Sequence, residues 1–125
     1  MHRIQDVTTT ALLGHVEARL QHRAEARRQI PQRVYAADAE GRVIAIEVPE
    51  AADAADQQAI NAIVDMHLRE LGAVVTVLQV PNAAVPGQVI LFAGSVDGAQ
   101  LETRIWAGSG EGAGSIRLTR PALLS

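Results

Sequence analysis

The chain has 125 residues, 48% of them apolar, a formal charge of −3, and neither cysteine nor lysine. That length suits one domain able to bury a core without covalent staples. Without cysteine there is no disulfide, thiolate nucleophile or zinc–thiolate site, and without lysine there is no Schiff base and no P-loop lysine.

The charge is uneven. Residues 1–33 carry six arginines and a net charge of +3, whereas residues 34–125 carry −6. The expected organisation is a basic helical segment (1–33) joined to an acidic sheet domain (34–125) in a single globular unit. One Phe, one Tyr and one Trp leave the core to Val, Ile, Leu and Ala. Aliphatic side chains bury less area each than aromatic ones, so part of the stability is expected from a second copy of the chain.

In chain order, residues 10–28 read as a helix with Leu13, Val16, Leu20 and Ala24 on one stripe. Asp6 or one of Thr8–Thr10 is placed to cap it, and Pro31 closes it. Residues 34–48 read as a hairpin turning at Asp38–Gly41, with Ile44, Ile46 and Val48 alternating onto a core face. Pro49 ends its second strand. Residues 53–71 form the clearest element: Asp53 caps a helix with Ile60, Ile63, Val64, Leu68 and Leu71 on one face, and Gly72 stops it.

Residues 73–80 are β-branched and read as a strand. The uninterrupted apolar run Val89–Ala93 reads as a central strand covered on both faces. A turn at 96–99 leads to the alternating strand 101–106, with Leu101, Thr103 and Ile105 on one face. A glycine-rich stretch and a last strand, 116–120, follow.

The order α-β-β-α-β-β-β-β predicts an α+β fold with a mostly antiparallel sheet of five or six strands. The central helix covers one face; the N-terminal helix covers the other or lies in an oligomer interface. The hairpin–helix–meander order is similar to that of roadblock and profilin-like domains in element order alone, which transfers no function.

Candidate sites are few. Gly108, Gly110, Gly112 and Gly114 lie between strands rather than before a helix. With Glu111 among them and no lysine, they read as a connecting loop instead of a phosphate cradle. His67 falls between Val64 and Leu68 on the helical wheel, so the wheel predicts a buried, neutral imidazole. The alternative reading, a small-ligand-binding or enzymatic domain, places His67 near Gly108, Ser109, Gly110 and Gly112 of the 108–114 loop around one pocket.

His15 and His22, seven residues apart with Arg19 between them, miss the i, i+4 spacing of a helical zinc pair and read as a solvated face. No metal or cofactor is expected. The arginines include Arg23 and Arg27 beside the apolar stripe, which suits an acidic protein surface. Nucleic-acid binding through this helix is disfavoured, because no aromatic is interleaved for stacking.

No serine-hydrolase, zincin or P-loop pattern is present, and catalysis is not the expected role. The leading expectation is a non-catalytic, oligomeric protein-interaction module, with a dimer favoured. Its partner contacts would be Leu13, Val16, Leu20, Arg23, Arg27 and the apolar tail residues Leu123 and Leu124. The first twenty residues lack an apolar signal core, and the longest apolar run is far short of a membrane span, so a cytoplasmic, non-membrane protein is expected.

Overall fold

The computed structural model describes residues 3–25, 31–82, 84, 88–108 and 116–119. Its elements are α1 (Thr9–Glu25), β1 (Arg33–Asp38), β2 (Val43–Glu47), α2 (Ala54–Leu71), β3 (Ala73–Pro81), β4 (Gln88–Ser95), β5 (Leu101–Gly108) and β6 (Ile116–Thr119). The strands form one sheet in the order β2-β1-β3-β4-β5-β6. Every pairing is antiparallel. The fold class is therefore the expected one. The link β2–α2–β3 passes over β1, and the rest of the sheet is a meander.

Local chemistry sets the element ends. Thr8 Oγ1 accepts the Ala11 N–H at 3.1 Å and caps α1. Asp53 accepts the Asp56 N–H at 2.8 Å, and Asp56 in turn accepts the Ala52 N–H at 2.8 Å, a reciprocal cap on α2. Gly72, at φ 73°, ends α2 by donating its N–H to the Arg69 carbonyl. The last predicted residues of the first helix, 26–28, lie outside the described residues.

The register divides the sheet into two faces. On the first, Tyr35, Val77, Leu91, Ala93 and Trp106 meet Leu12, Leu13, Val16 and Leu20 of α1 in one buried cluster. α1 spans β1, β3, β4 and β5. This corrects the expected partner role of Leu13, Val16 and Leu20: all are at most 1% exposed inside this chain's own core and have no surface to offer. Leu12, which the sequence stripe omitted, widens the apolar face enough to cover the sheet centre.

The first hairpin is tied to the N-terminus. Asp38 is buried in its turn, and its carboxylate accepts the backbone N–H groups of Glu40 and Arg42 and the Arg42 Nε–H. Ile4 donates its N–H to the Gly41 carbonyl at 2.8 Å, and Arg3 bridges Arg42. Gly41 sits at φ 84°, and a Cβ there would lie 2.0 Å from the Ile4 carbonyl oxygen. Both conformation and space therefore demand glycine.

Gly98, at φ 77°, has open space where its Cβ would be. Gly41→Ala should cost about 2 kcal/mol or more, and Gly98→Ala only about 1 kcal/mol, from backbone strain alone. Thermal and urea denaturation of the two variants checks this: equal losses would mean that the N-terminal strap does not press on the turn.

Candidate interaction face

The second face of the sheet carries Val34 from β1, Thr76 and Leu78 from β3, Ile90, Phe92 and Gly94 from β4, and Leu101, Thr103 and Ile105 from β5. α2 packs on it chiefly over β1 and β3. Only Ile60 of α2 is buried, against Val34 and Val48, with Val64 and Leu68 half-buried beside Leu78.

Among the described residues nothing covers the part of this face formed by β4 and β5. Phe92 is 44% exposed and Leu101 82% exposed. Leu101 lies across Gly94, its Cδ2 3.1 Å from where a glycine Cβ would stand. Leu78 pairs with Phe92, Thr103 with Phe92, and Ile90 with Ile105, so these side chains form one continuous surface. Phe92 and Leu101 are the large apolar residues left exposed on it, with Ile90, Thr103 and Ile105 half-buried between them.

Between α2 and the sheet lies a cleft of about 290 Å³. Its floor is Val34, Val48, Val64, Leu68 and Leu78, and its rim is Gln32, Gln57, Asn61, Asp65 and Thr76. Gln57 Nε2 donates to Asn61 Oδ1 at 2.9 Å, and Asp65 holds Arg69 at 3.0 Å. The rim is polar, while the floor runs on through Leu78 to the bare face of β4.

The sequence-selected residues fall elsewhere. His67 is a correction. It is exposed, with its side chain at 48% exposure and its Nδ1 4.0 Å from Glu70, and it does not line the cleft. α2 touches the sheet through a narrow strip centred on Ile60, Val64 and Leu68. A wheel position next to that strip is therefore still in solvent. The predicted pocket shared by His67 and the glycines is not formed by His67. Gly108 ends β5, and Ser109, Gly110 and Gly112 lie outside the described residues.

Arg27, Leu123 and Leu124 also lie outside the described residues. Arg23 is half-buried on α1. His15 and Arg19, expected on a solvated face, instead line a small hollow with Tyr35 and Val43. The surface acids do not converge: Glu47 pairs with Arg33, Glu102 with Arg104, and Asp97 accepts the Ser95 hydroxyl proton at 2.6 Å. No group of three His, Asp or Glu residues among those described is arranged to hold a metal ion. No described helix is long and apolar enough to cross a membrane.

The α1 side, by contrast, is closed by a polar seal. Glu17 on α1 accepts the Trp106 indole N–H at 3.0 Å and also pairs with Arg104, which holds Glu102 at 3.0 Å. Burial works against the charge of Arg33, but its bonds to Tyr35 and Glu47 outweigh this and hold its pKa above the ordinary value. Glu17 thus fastens α1 to β5, while Arg33 ties β1 to β2.

Asp38 is held below the ordinary carboxylate value. Desolvation opposes the shift, but the backbone N–H groups of Arg42 and Glu40 and the Arg42 side chain prevail. The shape of this chain's surface must speak for itself: it matches no protein-family model, no curated protein and no solved structure.

A depressed carboxylate contributes stability above its unfolded pKa and loses it as the pH falls through the folded value. Asp38→Asn should therefore flatten the acid limb of the unfolding curve below about pH 4, the ordinary aspartate value, while lowering stability at neutral pH. An acid limb of unchanged steepness in the variant would show that the turn does not hold the carboxylate ionised.

Proposed function

We propose that this protein is a non-catalytic interaction module that works as a self-associating unit, with the bare β4–β5 face as its contact surface. One observation carries the reading: β4 is a central strand, its α1-side residues are sealed, and its only phenylalanine stands half-exposed on the other side. An apolar strand in the middle of a sheet is stable when both faces are covered. Here the described residues supply cover for one face of β4, and on this reading a neighbour covers the other.

The surface is continuous and uncharged from Leu78 through Phe92 to Leu101 and Ile105. Covering it therefore desolvates no ion, which is the costly step in forming many contacts. Phe92 supplies the aromatic anchor that strong interfaces tend to place at their centre. The partner contact expected of α1 thus moves to the opposite side of the sheet.

Light scattering and sedimentation velocity test this reading. The unaltered chain should run as a dimer at micromolar concentration. Phe92→Glu and Leu101→Glu should each shift it to a monomer, with at least a tenfold weaker association. Leu101 is so exposed that its replacement leaves the monomer fold intact, which guards against a mere folding defect. A chain that stays monomeric at hundreds of micromolar would refute the proposal.

A further inference from the structure

Taking self-association as the starting point, we infer that the occupant of the bare β4–β5 face is α2 of a second copy, the two chains exchanging helices across a two-fold axis parallel to the strands. Each chain has a deficit and a surplus on the same side of its sheet. The deficit is the half beside α2 that no described residue covers. The surplus is the outer side of α2, where Ala59, Ala62 and Met66 lie exposed, away from the buried strip and flanked by the Asp65–Arg69 pair and Glu70.

The dimensions fit. α2 has 18 residues and rests over β1 and β3, so the free ground beside it spans β4 and β5. Neighbouring strands are about 4.8 Å apart, so that ground is about 10 Å across, the width of one helix. Rotation about an axis along the strands lays the second α2 there, parallel to the first, without displacing it. Both helices then form a middle layer between two sheets.

The area favours a second copy over a lone helix from another protein. A helix of this length laid on the face hides a strip of about 27 by 10 Å on each surface, about 540 Å² in all, which is below the size of specific interfaces. The exchange makes the same contact twice. The total of about 1,100 Å² passes the mark of about 1,000 Å² that a specific interface clears.

Because the chain has no cysteine, introduced thiols report without background. In the exchanged arrangement, Ala62 of one copy stands over Thr103 of the other, whereas within one chain α2 holds Ala62 away from its own sheet. A disulfide forms only where Cα atoms approach within about 7 Å.

The double variant Ala62→Cys with Thr103→Cys, treated with a mild oxidant, should run mostly at twice the 13.3 kDa of the chain on a non-reducing gel. Each single variant should stay at the chain mass. Ala45→Cys, on the outer strand β2, reports edge-to-edge pairing. A dimer by light scattering that cross-links through Ala45→Cys and not through the double variant would overturn the exchange while leaving self-association standing. A monomer by light scattering would remove both.

Discussion

Two helices cannot cover both faces of a six-stranded sheet when one of them lies over only two strands. That shortage of cover governs the molecule. α1 spans β1, β3, β4 and β5, while α2 rests chiefly on β1 and β3, and among the described residues nothing else covers the neighbouring strands on its side. The difference begins in composition. α1 offers four neighbouring leucine and valine side chains that are wholly buried, whereas Ile60 is the one α2 residue that is buried, and it keeps 8% of its surface exposed. With a single Phe, Tyr and Trp, the chain has few large side chains with which to broaden a contact.

The polar groups follow the same division. On the α1 side, Glu17 bonds Trp106 and Arg104 at a separation of nearly ninety residues, so helix and strand β5 are fixed to each other. Arg33 is held by Tyr35 and Glu47. Charged groups there are paired and serve closure. On the α2 side, Gln57 pairs with Asn61 on the cleft rim, Asp65 turns to Arg69 outside it, and among the described residues nothing polar bonds over Phe92 or Leu101. A face built this way asks for apolar cover, and a helix resembling its own α2 has the width to supply it.

Much of the fold was legible in the residues themselves. Asp53, Gly72, Gly41 and Pro49 marked the element ends, because caps and left-handed turns have local chemical causes. The continuous apolar run at 89–93 announced a central strand covered on both faces, of which the described residues cover one and leave Phe92 exposed on the other, and the alternation at 101–105 announced which side chains share a face. What the sequence did not reveal was depth. A helical wheel gives the angle of His67 but not how shallowly α2 sits, and so it placed an exposed imidazole in the core.

The same blindness assigned Leu13, Val16 and Leu20 to a partner, since an apolar stripe looks alike whether its own sheet or another's receives it. Contacts such as Glu17 with Trp106 depend on strand order, which turns and periodicity do not encode. Even so, the exposed face of β4 had its signal in the sequence: the apolar Phe92 and Ile90 beside their equally apolar opposite face.

The most direct measurement is an isotope-filtered nuclear Overhauser experiment on a mixture of labelled and unlabelled chains. The single phenylalanine gives Phe92 ring signals that no other residue shares. Contacts between that ring and alanine or methionine methyl groups of the other copy are the predicted result. A Phe92 ring that meets only protons of its own chain and water, at concentrations where the protein is dimeric, would contradict the account.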